Sequence, residues 1–180
     1  GTQTTGLVAG GSPGPYSQKS ETYNGTTWTE TNDLIGARWG LPLVGGSGAA
    51  LGVGGADSPV GSTVVQEWDG TSWSTNAASL NEAKQTSAAA GTTALALNYG
   101  GYASGGSTVV TGATESFNGT SWSAVGSLAT ARSGIMGGQA STNSAGVAFG
   151  GAPNPASPAA TSSTEEYNDP VYTIKTVTAS

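Results

Sequence analysis

The residues that could do chemistry are few, and they recur. Glu21, Glu115 and Glu165 occupy one position of a repeated segment, and Arg38, Lys84 and Arg132 occupy another. Two carboxylates can divide general acid and base work, and the adjacent Glu165 and Glu166 invite that reading. Neighbours on a strand point to opposite sheet faces, however, so the two cannot approach one substrate. Groups that return once per repeat suit pairing with a cation or with backbone amides between modules, and the three cations fall under the same argument. The chain has no His and no Cys, which removes imidazole bases, thiolate nucleophiles, disulfides and the usual ligands of zinc, copper and haem. No Gly-x-Ser-x-Gly elbow, no phosphate-cradling Gly-Lys-Ser/Thr loop and no dinucleotide fingerprint occurs. The expectation is a protein that is not an enzyme and takes no cofactor or metal. A catalytic reading would have to rest on Glu115 and Glu165.

The elements that position these groups must be short and turn often. Of 180 residues 30 are Gly and 8 Pro, 9% are charged and 36% apolar, which suits strands of small side chains around a closely packed core. Five Lys and Arg stand against eleven Asp and Glu, a formal net charge of −6, so a groove that neutralises phosphates is not expected and nucleic acid is a poor partner. No stretch approaches the roughly 18 apolar residues that span a bilayer, and no signal-like segment opens the sequence, so membrane insertion is not expected either.

Self-similarity organises the chain. Gly-Gly doublets follow short apolar runs at Gly10-Gly11, Gly54-Gly55, Gly100-Gly101 and Gly150-Gly151, a spacing typical of sheet repeats. After each doublet come a polar loop and two aromatics bracketing a turn: Tyr23 and Trp28, Trp68 and Trp73, Phe117 and Trp122, Tyr167 and Tyr172. Asn24-Gly25, Asp69-Gly70 and Asn118-Gly119 predict hairpins with type I′ corners, and the aromatics are expected to fill the space between neighbouring sheets. The last copy has Asp169-Pro170 in place of the Gly step, as a terminal repeat would. Leu34-x-x-Ala37-Arg38, Leu80-x-x-Ala83-Lys84 and Leu128-x-x-Ala131-Arg132 then precede runs of small residues, 40–46, 87–91 and 134–138, that suit crowded inner strands. The Asn24 and Asn118 glycosylation sequons are read as turn corners.

This succession, an inner strand of small residues, an apolar strand ending in Gly-Gly, a strand ending in an aromatic and a strand carrying Trp, resembles the kelch repeat over the whole chain. The resemblance implies an all-β fold: a kelch-like β-propeller of about four blades of four antiparallel strands. The repeats run approximately 1–36, 37–82, 83–130 and 131–180 in one domain. The second strands are expected near 6–9, 49–52, 94–97 and 145–148. The first blade opens at its second strand and lacks the inner one. A longer parent chain, several copies meeting in one ring, or a compact four-bladed ring with one incomplete blade would each account for this. Some kelch propellers are copper sugar oxidases; their metal site uses His and Tyr, and with no His that site cannot be carried over.

The Tyr-Asn-Gly-Thr-Thr-Trp and Phe-Asn-Gly-Thr-Ser-Trp phrases further resemble kelch-like repeats in structural proteins of marine tailed phages. That resemblance implies a virion component (tail, fibre or capsid decoration) whose partners are copies of itself, other virion proteins and a host-surface glycan or protein, located in the virion or outside cells. The alternative is a secreted bacterial carbohydrate-binding propeller or adhesin. In either case the loops after the doublets are expected to face one side, with Tyr16, Gln18, Lys19, Asp57, Tyr102 and Asn154 as the groups able to touch a partner.

Overall fold

Short apolar runs punctuated by Gly-rich turns give strands of two to five residues in the computed structural model, which describes residues 1–103, 109–138, 142–153, 160–168 and 175–177. Among these the regular structure is entirely β and forms four antiparallel sheets, each a simple meander. The first has three strands, β1 (Gly6–Ala9), β2 (Ser20–Tyr23) and β3 (Trp28–Thr31). The second runs β4 (Leu43–Gly46), β5 (Ala49–Val53), β6 (Val65–Trp68) and β7 (Trp73–Thr75). The third runs β8 (Ala88–Gly91), β9 (Ala96–Tyr99), β10 (Thr114–Phe117) and β11 (Trp122–Val125). The fourth runs β12 (Met136–Gly137), β13 (Ala145–Phe149), β14 (Thr164–Asn168) and β15 (Lys175–Val177). Three sheets are thus complete by the repeat pattern, and the first begins at the strand that comes second in the others.

Two local details differ from the sequence expectation. The Asn-Gly and Asp-Gly corners are not type I′ turns, because only Gly25, Gly70 and Gly119 have positive φ there. Tyr23 pairs directly with Trp28, leaving a four-residue connection, and the Asn24 side-chain oxygen accepts the N–H groups of Thr26 and Thr27, both at 3.0 Å. Asp69 and Asn118 do the same for the next two sheets. Capping two amides with the side chain spares the Asn or Asp backbone a left-handed conformation, and at Asp69 these bonds hold the carboxyl below its ordinary pKa. The second detail is β9, which lies at Ala96–Tyr99 instead of 94–97. Residues 92–95 are taken by a turn in which the Thr92 hydroxyl accepts the N–H groups of Ala94 and Leu95.

The sheets pack face to face in chain order, β1 against β4, β4 against β8, and β8 against β12 and β13. Alternation along each strand supplies two faces. One carries the aromatic pair, with ring centroids 5.5 Å apart for Trp68 and Trp73 and 5.1 Å for Phe117 and Trp122. The other carries aliphatic residues of the second strand. Trp68 and Trp73 pack with Leu7, Ala9 and Leu34 of the first module. Phe117 and Trp122 pack with Leu51, Val53 and Val65 of the second, and Ala148 and Tyr167 pack with Leu97 and Tyr99 of the third.

Tyr99 ties the last junction with a polar contact: its hydroxyl donates to the Val147 carbonyl at 2.9 Å. Burial pushes its pKa up to about 12. The folded chain therefore keeps a proton that an unfolded Tyr, with a pKa of about 10, gives up. Its contribution to stability is complete below about pH 10 and is lost as pH rises towards 12. Tyr99→Phe should cost about 1 kcal/mol at neutral pH through the missing bond. It should also flatten the alkaline fall in stability above pH 10, as read by urea unfolding at a series of pH values.

Candidate functional site

Each junction between sheets is built by the segment that joins them. The Leu34, Leu80 and Leu128 amides donate to the carbonyls of Gln18, Thr63 and Gly112, which anchors the segment to the loop of the preceding sheet. The next amide reaches forward into the following sheet: Ile35 to Gln66 Oε1 at 2.8 Å, Asn81 to Glu115 Oε2 at 2.7 Å, and Ala129 to Glu165 Oε2 at 2.6 Å. Three residues later the cation completes the contact. Arg132 Nη2 lies 3.0 Å from Glu165 Oε1, and Lys84 Nζ lies 3.7 Å from Glu115 Oε1 while donating to the Ala113 carbonyl at 2.9 Å. All four charged groups are buried. Burial pushes the Lys84 pKa down, against the opposing pull of Glu115 and Glu82. The second sheet departs from this scheme because Gln66 stands where the others have Glu, and Arg38 turns to the surface carboxylate of Asp57 at 3.0 Å.

The doublets belong to the same device. The Gly11 and Gly101 amides donate to the Arg38 and Arg132 carbonyls, and a Cβ on Gly54 or Gly100 would sit 2.8 Å from the Lys84 or Arg132 carbonyl oxygen. Only Gly, with positive φ at both places, lets the two backbones approach so closely.

Beside the junctions, among the described residues, lies an elongated concavity. One part, of about 380 Å³, is lined by residues in and before β4, β8 and β12, among them Leu41, Leu43, Ala88 and Met136. The other, of about 490 Å³, is lined by Trp39, Thr86, Tyr102, Ser133 and Ala152. Thr86 and Gly134 line both parts. The backbone there forms a chain of its own: the Thr86 amide donates to the Gly40 carbonyl at 2.7 Å, and Gly134 to the Thr86 carbonyl at 3.0 Å. Gly40, Thr86 and Gly134 are equivalent by repeat and share a left-handed φ of 60°, 51° and 62°. Thr86 is the one non-glycine with positive φ among the described residues, a strained conformation for a β-branched side chain. The wider part, the mouth of the concavity, presents the side chains of Trp39 and Tyr102, which suits stacking of a ligand. Among the described residues no group of three acidic, His or Cys side chains is placed to hold a metal ion.

The residues expected from sequence to touch a partner divide into three groups. Tyr102 lines the mouth, and Tyr16 packs on Trp39 with ring centroids 6.0 Å apart. Gln18, Lys19 and Asp57 are engaged within the chain. Gln18 Nε2 donates to the Leu34 and Ile35 carbonyls, and Asp57 pairs with Arg38. Lys19 pairs with Glu30 at 2.7 Å and Asp33 at 3.6 Å, and the bond to Glu30 leads in raising its pKa. Asn154 lies outside the described residues, as does Tyr172 of the last repeat's aromatic pair. Trp39, Thr86 and Ser133 were not anticipated, although the repeat held the signal: Trp39 and Ser133 each directly follow a recurring Arg, and Thr86 stands where the other repeats have Gly.

The chain is thus an all-β protein of four successive antiparallel sheets locked by recurring loops. The solved structure of YjhT is similar to it, with a TM-score of 0.79 at 12% identity, over 98% of this chain and 63% of that chain. The chain therefore spans less than two thirds of that protein's length, and the likeness at this identity is one of fold. No family model matches the sequence, and no curated protein does.

Proposed function

We propose that the four sheets are blades of a kelch-like β-propeller, and that the chain is a non-enzymatic structural and interaction component of a virion, making subunit contacts and meeting a host surface. The supporting observation is the use made of the recurring charges. Lys84 with Glu115 and Arg132 with Glu165 are buried between sheets, where they hold the architecture and are closed to substrate. The phage-like phrasing around Asn24 and Asn118 supplies the virion context. Peptides of this chain should co-purify with gradient-banded particles from the source organism. Recovery only from the particle-free secreted fraction would overturn the reading.

A second reading, a secreted carbohydrate-binding propeller or adhesin, draws on the aromatic mouth formed by Trp39 and Tyr102. A glycan array decides between them. Reproducible binding that is lost in Trp39→Ala favours the adhesin, and silence favours the structural component.

A further inference from the structure

The three internal junctions repeat one interface, and among the described residues the first and fourth sheets each leave one half of it exposed. On the first sheet, Tyr23 and Trp28 form the same ring pair as the later sheets, with centroids 5.1 Å apart. Trp28 is 49% exposed, however, whereas Trp73 and Trp122 are 4% and 5% exposed. Val8 and Glu21 are exposed on the same side. On the fourth sheet, β13 brings Val147 and Phe149 to the register that Leu51 and Val53 occupy in β5, and Leu97 and Tyr99 in β9. Phe149 is 43% exposed and its cross-strand partner Met136 65%. Exposed apolar side chains gathered on one face mark an interaction surface, and these two faces are the opposite halves of a contact already made three times within the chain.

We propose that the first sheet of one copy seats on the fourth sheet of a second copy, head to tail, with Trp28 packing against Phe149 and Val147. This names the partner in the subunit contacts proposed above and rests on that reading. Complementary but different patches make the association heterologous, so it closes into a ring or extends by addition of further copies. Glu21 takes the repeat position of Glu115 and Glu165 but among the described residues has no cation such as Lys84 or Arg132 beside it, so its carboxylate opposes the contact and limits its strength.

The experiment is sedimentation of the full chain at about 100 μM with tryptophan emission followed on dilution. The wild type should run well above 17.5 kDa and shift its emission to the red as it dissociates. Trp28→Lys and Phe149→Lys, both at exposed positions, should each run as monomers with unchanged circular dichroism. Mixed in equal amounts they should recover a dimer, because each retains the half that the other has lost. A monomeric wild type overturns the proposal, as does association that survives Phe149→Lys, which would mean that first sheets pair with one another. Neither result bears on whether the chain is found in particles, so the broader reading stands or falls separately.

Discussion

Trp73→Ala should remove about 3–5 kcal/mol of stability, while Trp28→Ala, measured at a dilution where the chain is monomeric, should cost under about 1 kcal/mol. The two residues occupy one repeat position, and the difference lies in what covers them. Trp73 is enclosed by Leu7, Leu34, Ala50 and Trp68, and its indole Nε1 donates to the buried Ser20 hydroxyl at 3.0 Å. Truncation therefore leaves a cavity and strips Ser20 of a partner. Trp122 separates the two terms. Val65 stands in the second sheet where Ser20 stands in the first, and the Trp122 Nε1 finds no hydrogen-bond acceptor among the described residues. Trp73→Phe should consequently cost about 1 kcal/mol more than Trp122→Phe. Equal losses at Trp28 and Trp73 in urea unfolding would refute the assignment of the first sheet's aromatic face as uncovered.

Much of this architecture was legible because each repeat states its own physics. The doublets mark where a backbone carbonyl from the next module presses on the chain, so only Gly fits, and their spacing reads directly as sheet spacing. The aromatic pairs flank a turn and so must share a sheet face. The corner type was misjudged for a reason of chemistry: Asn-Gly signals both a type I′ turn and a side-chain cap, and with four residues to bridge the cap prevails. The position of β9 was misjudged because Thr92 binds the following amides locally, which nothing in the apolar pattern reveals.

The candidate site was less legible than the fold. Loops rich in polar groups look available in a sequence, yet Gln18, Lys19 and Asp57 are each engaged by other groups of the chain. The mouth of the concavity is instead made by residues adjacent to the structural cations. Their placement follows from where the strands converge, a property of the packed sheets and not of any local segment. Gln66 is instructive here. It breaks the acidic pattern without breaking the junction, since an amide oxygen accepts the Ile35 N–H as a carboxylate would.

That substitution frames the second large effect. Arg132→Met should cost about 3–5 kcal/mol, because it leaves the Glu165 carboxylate buried with the Ala129 amide but no cation. Arg132→Met combined with Glu165→Gln should recover most of the stability, as the double change reproduces the neutral acceptor that Gln66 already provides to Ile35. Replacing a buried ion pair by neutral groups of similar size is often close to neutral, whereas removing one member is not. A double-mutant cycle by urea unfolding at pH 7 measures the coupling. If the double variant were as unstable as the sum of its parts, the pair would be contributing through packing alone, and the role assigned here to the recurring charges would fail.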